Sequence, residues 1–290
     1  MIEILLLISS VTLSSLRGLF SKELKDVPKY KAFFFYQGIL FFVASIIVFA
    51  FNIFCFVDVS YQTILLGLLF GAFLVGSQWL YTIALSKGLV SICSMVYSFG
   101  FIIPTIFGFA FWNEEPSITK IIGIVLIIPL IFLISFKGKE EKTKSNLYLI
   151  PLILAALCSG SLGVMQKVQQ RSDFADQRIA FLLVGMLFSC LLSFLMFAIS
   201  KKSNKEVETK IVSKKPIIFA CLVGLSFGLA NIVNLYLAGK VAATILFPIQ
   251  NIGTIVLTTL LGYFVFKERP KIKELLAFLV AVASIIFIVL

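Results

Sequence analysis

The chain has 290 residues, of which 60% are hydrophobic and 13% are charged, whereas soluble domains are about half apolar and a quarter charged. Together with a mean hydropathy of +1.08, this composition excludes a water-soluble globular domain. The formal net charge of +11 would favour nucleic acid as the partner of a soluble protein. In a membrane chain it more simply encodes orientation, so we expect the lipid bilayer as partner and no nucleic acid.

Ten apolar segments follow one another along the chain, each close to the roughly 20 residues that span a bilayer as a helix. Their continuous apolar character favours helices over barrel strands, which would alternate. The predicted spans cover residues 2–20, 32–54, 62–85, 90–112, 118–136, 147–167, 179–199, 216–238, 242–265 and 272–290. The predicted fold class is therefore an all-α polytopic membrane protein with ten transmembrane helices.

Basic residues mark one face of the predicted bundle. Most of the 25 Lys and Arg follow the odd-numbered spans, including those in the 5–6 loop (137–145) and the 7–8 loop (201–215). The opposite face holds Lys120, Lys167, Arg171, Arg178 and Lys240. Basic loops face the cytoplasm, so we predict a plasma (inner) membrane protein with both loops cytoplasmic and both termini outside.

An internal repeat divides the chain. Sliding residues 71–133 along the sequence superimposes Lys87 on Lys240 and Glu115 on Glu268, and the turns between helices coincide. We predict two halves of five spans each, residues 1–140 and 141–290. Because five is odd, equivalent helices cross the membrane in opposite directions, which is the inverted-repeat design of many secondary transporters.

Residues 81–134 and 235–290 share an order of features: a Tyr near the start, an apolar helix with a Pro, a Glu in a short loop, and a closing apolar helix. Both segments resemble the repeat of the drug/metabolite transporter superfamily, EamA-like branch. Asn113-Glu114 and Phe266-Lys267 stand where that family carries a Gly before the loop Glu. The resemblance implies a ten-helix carrier of small organic solutes, with a substrate cavity between its two halves.

Polar residues inside the spans are the candidate substrate ligands, because burying an amide without a partner costs about 1–3 kcal/mol. The repeat pairs Gln78 with Asn231, Tyr81 with Asn234, Tyr97 with Gln250, and Ser98 with Asn251. We predict that these residues, and Trp79 as a stacking surface, bind substrate near the bilayer midplane. The alternative is that the polar groups hydrogen-bond helix to helix and that the aromatic rings only pack.

Two prolines and two loop carboxylates complete the candidate set. Pro104 and Pro248 interrupt the hydrogen bonding of spans 4 and 9, which predicts kinks that free carbonyls or serve gating; a purely structural kink is the alternative. Glu115 and Glu268 each lie just before a helix, where a carboxylate complements the positive helix end. We predict that they stabilise the two hairpins, with a gate or coupling role as the alternative.

Charge placement indicates the kind of solute. No Asp or Glu lies in the middle of a predicted span, and intramembrane carboxylates are the usual proton relays and cation ligands. This pattern favours a neutral or zwitterionic solute and disfavours a small-multidrug-type antiporter. Arg17 and Lys167 lie near span ends, where they either pair with a substrate carboxylate or, as we expect, snorkel to the headgroups.

The leading functional hypothesis is a secondary transporter that exports or exchanges small metabolites, with amino acids first. An uptake carrier for a sugar or nucleoside-like solute is the alternative within transport. A membrane-embedded enzyme for lipid-linked substrates is disfavoured, because the chain has no His and five scattered Cys. The same composition predicts no metal site and no cofactor. For the oligomeric state, the sequence is compatible with both a monomer and a dimer.

Overall fold

The computed structural model describes residues 2–22, 29–52, 58–87, 93, 96–115, 117–135, 148–200, 214–266 and 272–289. Its helices are α1 (Ile2–Lys22), α2 (Lys29–Phe51), α3 (Tyr61–Lys87), α4 (Ile102–Phe111), α5 (Ile118–Ser135), α6 (Leu149–Arg171), α7 (Arg178–Ile199), α8 (Lys214–Lys240), α9 (Ala243–Phe266) and α10 (Ile272–Val289). Short 3-10 turns, Phe99–Phe101 and Ala175–Gln177, precede α4 and α7. The predicted all-α class is confirmed for the described residues.

Six described helices, α1, α2, α3, α6, α7 and α8, are long and apolar enough to cross a membrane by length and composition. Shorter apolar helical segments are described in the remaining four: Val96–Phe111, Ile118–Pro129, Ala243–Thr258 and Leu279–Val289. Large apolar side chains such as Leu5, Phe42 and Leu191 are exposed, which suits contact with lipid. The predicted count of ten membrane crossings is not confirmed by these lengths.

The chain forms two compact units. Unit 1 comprises Met1–Val75 and Val168–Gly239, and unit 2 comprises Gly76–Lys167 and Lys240–Leu290. The unit boundaries fall inside α3 and α6 and at the end of α8. Each unit therefore combines segments from both of the predicted halves.

Small residues bring the helices of unit 1 close together. A Cβ placed on Gly71 of α3 would lie 2.5 Å from the carbonyl oxygen of Gly185 on α7. The Ser189 hydroxyl donates to the Gly71 carbonyl at 3.1 Å, so the approach is also hydrogen-bonded. Between α2 and α8, the rings of Phe41 and Phe227 lie 5.9 Å apart. In lipid the hydrophobic effect does not drive helices together, so close packing at small residues and hydrogen bonds between helices hold them in contact.

In unit 2, α6 packs against both α4 and α9. A Cβ on Gly100, in the 3-10 turn just before α4, would lie 3.0 Å from the Ala156 carbonyl oxygen of α6. About two turns further along α6, a Cβ on Gly163 would lie 2.8 Å from the ring of Phe247 on α9. This arrangement sets α4, α6 and α9 side by side. Of the candidate residues, Pro104 lies on α4, and Pro248, Gln250 and Asn251 lie on α9.

Candidate functional site

Two tyrosine rings in contact form the aromatic part of the candidate site, in unit 2. The rings of Tyr81 on α3 and Tyr97 just before α4 lie 4.4 Å apart at an interplanar angle of 36°. Gln78, one turn before Tyr81 on the same face of α3, donates its amide to the Tyr97 hydroxyl at 3.3 Å. The pair packs on a small apolar cluster of Ala84, Cys93, Tyr148 and Leu152. The structure thus brings three predicted site residues together.

Asn251 supplies the polar part of the same unit. Its Nδ2 donates to the Ser98 carbonyl at 3.2 Å, which joins α9 to the residue next to Tyr97. Its Oδ1 is buried and accepts no hydrogen bond from the described residues. Leaving a buried acceptor unsatisfied costs about 1–3 kcal/mol, so a donor on a ligand would be stabilised there. Gln250 lies beside it, half-buried on α9.

The two prolines lie in different helical settings. Pro248 is buried inside α9, three residues before Asn251, and removes the hydrogen bond that residue 248 would donate to the Thr244 carbonyl. Pro104 is buried at the third position of α4, which begins directly after the 3-10 turn. Their predicted part in gating stays a prediction. The predicted stacking residue Trp79 is 36% exposed on α3.

The remaining two substrate candidates, Asn231 and Asn234, lie on α8 in unit 1. Asn231 is buried and donates its amide to the Phe227 carbonyl of its own helix at 2.9 Å. The Asn234 carbonyl oxygen accepts a hydrogen bond from the Ser10 hydroxyl on α1. Two turns along α1, the Arg17 guanidinium lies 4.2 Å from the centre of the Phe227 ring. These contacts form a polar line between α1 and α8.

Glu114 is a site residue that the sequence analysis missed. Helix α9 begins at Ala243, and the preceding Ala242 has no side-chain acceptor for the free amides of the first turn. Glu114 supplies that acceptor from the turn between α4 and α5. Its Oε1 accepts the Ala243 amide at 2.8 Å, and its Oε2 accepts the Thr244 amide at 2.9 Å and the Thr244 hydroxyl at 2.8 Å.

Lys167 of α6 completes this junction. Its ammonium lies 3.6 Å from Glu114 Oε1 and donates to the Val241 carbonyl at 2.6 Å, and the two side chains are only 5% and 8% exposed. Burial by itself would raise the pKa of Glu114, but the amides of Thr244 and Ala243, the Thr244 hydroxyl and the Lys167 charge together hold that pKa below its ordinary value. The prediction that Lys167 snorkels is wrong, because its charge has partners inside the unit.

A left-handed turn explains why Glu114, and not Glu115, reaches α9. Asn113 has φ of 52°, and the Glu114 amide then donates back to the Gly108 carbonyl at 3.2 Å. Glu114 is half-buried as a residue, whereas Glu115 is exposed. Glu268, the second predicted loop carboxylate, lies outside the described residues, as do the 5–6 loop and nearly all of the 7–8 loop. In the sequence, Asn113 was the residue that could have indicated this turn, because Asn tolerates a left-handed backbone conformation.

Comparison with known proteins gives one family and one fold. The model of the EamA-like transporter family matches residues 1–136 and 146–290. No curated protein matches the sequence. A solved crystal structure with 17% sequence identity superposes with a TM-score of 0.76, covering 98% of this chain and 95% of the other. At that identity the likeness shows a shared fold alone.

Proposed function

The chain belongs to the EamA-like transporter family, and on that premise we propose that it exports or exchanges amino acids or related zwitterionic or neutral solutes. It is a multi-pass membrane transporter and not an enzyme by family. We propose that transport proceeds by alternating access between its two repeats, residues 1–140 and 141–290, and that all ten helices cross the bilayer.

One observation carries the proposed substrate class. Asn251 presents a buried carbonyl oxygen without a hydrogen-bond donor from the described residues, and its amide contacts the residue next to the Tyr81–Tyr97 pair. An ammonium group suits both features, because it donates hydrogen bonds to a carbonyl oxygen and is attracted to the faces of aromatic rings. A primary amine on a small organic solute therefore suits this part of unit 2.

The charges of unit 2 support a solute without net charge. The sheltered cation Lys167 and the carboxylate Glu114 neutralise each other. The described helices carry Asp or Glu only near their starts, at Glu3 and Glu274. In unit 2, a solute with a large net charge would need a buried countercharge, which neither the described helix interiors of that unit nor the neutral junction supply. We also propose Gln78, Trp79, Ser98 and Gln250 of unit 2, and Asn231 and Asn234 of unit 1, as hydrogen-bonding or stacking residues for substrate.

A ligand screen tests the substrate class. The purified protein is heated with amino acids, sugars, nucleosides or quaternary amines, and its melting temperature is recorded with each. Amino acids should raise the melting temperature of the wild type and not of Asn251→Leu, because a ligand that binds only the folded state stabilises it. Stabilisation by sugars or nucleosides alone would favour the uptake-carrier alternative, whose ring substrates would stack on the tyrosine pair.

Flux in proteoliposomes then separates export or exchange from uptake. Vesicles loaded with a mixture of radiolabelled amino acids should release label faster when the protein is present. Release that is further accelerated by unlabelled amino acid outside would identify exchange. No protein-dependent flux of any amino acid, in either direction, would refute the proposed substrate class.

We also propose a plasma-membrane location with the 5–6 and 7–8 loops in the cytoplasm and both termini outside. The support is the distribution of Lys and Arg along the chain and the tendency of basic loops to stay cytoplasmic. A reporter fused after Leu290 that is active only outside the cytoplasm tests this orientation. A cytoplasmic signal from that reporter would reverse it.

A further inference from the structure

The junction of Glu114 with α9 replaces a helix cap that the local sequence lacks. The first-turn amides of Ala243 and Thr244 point their hydrogens at the two oxygens of one carboxylate. A negative charge at this end also complements the helix dipole. The preceding residue, Ala242, offers a methyl group where most helices carry Ser, Thr, Asp or Asn. The start of α9 is therefore held by a residue from a distant part of the chain.

Lys167 ties the same point to α6. Its ammonium contacts both the Glu114 carboxylate and the Val241 carbonyl, which lies just before α9. Lys167 lies one turn beyond Gly163, whose face of α6 packs on Phe247 of α9. The two charges thus fix the start of α9 against α6 and against the turn after α4. We call this pair, Glu114 and Lys167, the α9 clamp.

The face of α9 that the clamp holds is the face that carries Asn251. Thr244 and Asn251 are seven residues apart, which is about two helical turns, so their side chains lie on one side of the helix. Pro248 lies between them and removes one backbone hydrogen bond from that stretch. Because this turn of α9 has one hydrogen bond fewer, the helix fixes the position of Asn251 less rigidly. A contact that holds the start of α9 from outside therefore matters more than it would in a regular helix.

Space at the junction is tight enough to define the geometry. A Cβ on Gly108 of α4 would lie 2.8 Å from Glu114 Oε2 and 3.0 Å from the Thr244 side chain. Only glycine therefore leaves room for the carboxylate at this height of α4. The left-handed turn at Asn113 then directs Glu114 back toward the space beside Gly108.

From this geometry we propose that Glu114 and Lys167 are positioning residues for transport: the α9 clamp fixes the first turns of α9 and thereby the location of Asn251. The inference rests on the proposed function only for the role of Asn251 in binding. It assigns Glu114 a structural charge that stays ionised during transport. A proton-coupling carboxylate would instead have to be protonated and released in each cycle.

Hydrogen exchange tests the clamp without any substrate. The full chain in lipid nanodiscs is compared as wild type, Glu114→Gln, Glu114→Gln/Lys167→Gln and, as the matched control, Glu115→Gln. In Glu114→Gln, peptides covering residues 243–255 should exchange about tenfold faster or more, because a charge-assisted cap is lost and Lys167 loses its carboxylate. The double variant should recover much of the protection, since two neutral amides can still hydrogen-bond. Glu115→Gln should match wild type.

Transport by the same four proteins tests the consequence. With the radiolabelled amino-acid mixture in proteoliposomes, Glu114→Gln should raise the apparent KM about tenfold, with a smaller change in maximal rate. The double variant should fall between Glu114→Gln and wild type. A double variant as impaired as Glu114→Gln, with transport that no longer responds to an imposed pH gradient, would overturn positioning in favour of proton coupling.

The two measurements keep the failures separate. Unchanged exchange over residues 243–255 in Glu114→Gln overturns the clamp, whatever the substrate is. Faster exchange with unaltered KM and rate overturns its role in positioning the site. Wild-type protein that moves no amino acid contradicts the proposed function, while the exchange data still decide whether the clamp holds Asn251 in place.

Discussion

In unit 1 the guanidinium of Arg17 lies over the ring of Phe227 at 4.2 Å, whereas in unit 2 the ammonium of Lys167 lies 3.6 Å from the carboxylate of Glu114. A cation over an aromatic face is stabilised modestly and keeps N–H groups at its edge. A buried ion pair is stable only while both partners are present. Unit 2 therefore has a neutral and interdependent junction beside its candidate site, whereas in unit 1 the cation contacts an aromatic ring.

The repeat-related residues Gln78 and Asn231 also have different kinds of partner in the two units. Gln78 reaches across to the Tyr97 hydroxyl at 3.3 Å, whereas Asn231 donates to the carbonyl one turn earlier in its own helix at 2.9 Å. Equivalent positions in the two repeats thus serve different partners once they lie in different units. We expect unit 2 to contribute more of the binding energy for substrate.

The largest expected effect separates Asn251 from Asn231. Asn251→Leu should lower amino-acid flux in proteoliposomes about 100-fold, because a buried donor of the solute loses its acceptor. Asn231→Leu should lower flux by about 10-fold or less, since part of its hydrogen bonding lies within α8. Both variants should express and melt close to wild type. Equal losses of flux would break the distinction between the units.

Removing the two cations compares the units in stability. Lys167→Met should destabilise the folded protein by about 3–5 kcal/mol, because the sheltered Glu114 carboxylate loses its counterion. Arg17→Met should cost about 0.5–2 kcal/mol, the range of a cation–aromatic contact. Reversible unfolding in mixed micelles measures both, with Lys240→Met at the exposed end of α8 as control. A larger loss for Arg17→Met would contradict this ordering.

Glycine substitutions test whether close packing is common to both units. Gly71→Ala in unit 1 and Gly160→Ala in unit 2 should each destabilise by about 1–3 kcal/mol. The added methyl group would meet backbone oxygen of Gly185 in the first case and of Gly100 in the second. Gly76→Ala should instead stabilise by about 0.5–1 kcal/mol, because nothing lies within 4 Å of its new Cβ. Melting temperatures that fail to change sign between these sites would refute the packing argument.

The smallest effect concerns acid stability and unit 2 alone. The pKa of Glu114 is lowered in the folded protein, so its contribution is fully present above the ordinary carboxyl pKa and is lost as pH falls through the lowered one. Melting temperature should therefore stay flat through neutral pH and fall below about pH 4. Glu114→Gln should start lower and show a shallower acid decline. An identical acid decline in both proteins would exclude Glu114 as its cause.

Helix positions were predictable because hydropathy is a local property of the chain. The prediction of residues 179–199 corresponds to α7 at Arg178–Ile199, and 242–265 corresponds to α9 at Ala243–Phe266. Span 4 was predicted as one continuous helix, but a 3-10 turn at Phe99–Phe101 precedes α4. Pro104 has no amide hydrogen to donate to the Gly100 carbonyl, which accounts for the local tightening.

The candidate site was predictable only in part. Residue type and repeat position selected Gln78, Tyr97 and Asn251. In unit 2, Gln78 hydrogen-bonds to the Tyr97 hydroxyl, and Asn251 hydrogen-bonds to the carbonyl of Ser98, the residue after Tyr97. The same logic selected Glu115 as a carboxylate that stabilises its hairpin, which stays a prediction, and it missed Glu114, which the left-handed turn at Asn113 directs to α9. A shift of one residue in a turn reverses which side chain faces inward, and the order of residues alone does not specify that rotation.

By itself, the sequence determined that this protein lives in lipid, that its chain repeats, and that its polar residues are few and lie at corresponding places. Those properties follow from composition and spacing, which need no knowledge of which helices touch. The tertiary structure decided that Lys167 is sheltered against Glu114, that α9 is capped from a distant turn, and that the repeat-paired amides Gln78 and Asn231 fall in different units. Such contacts depend on how helices pack, because a charge becomes stable in the interior only where packing brings it a partner.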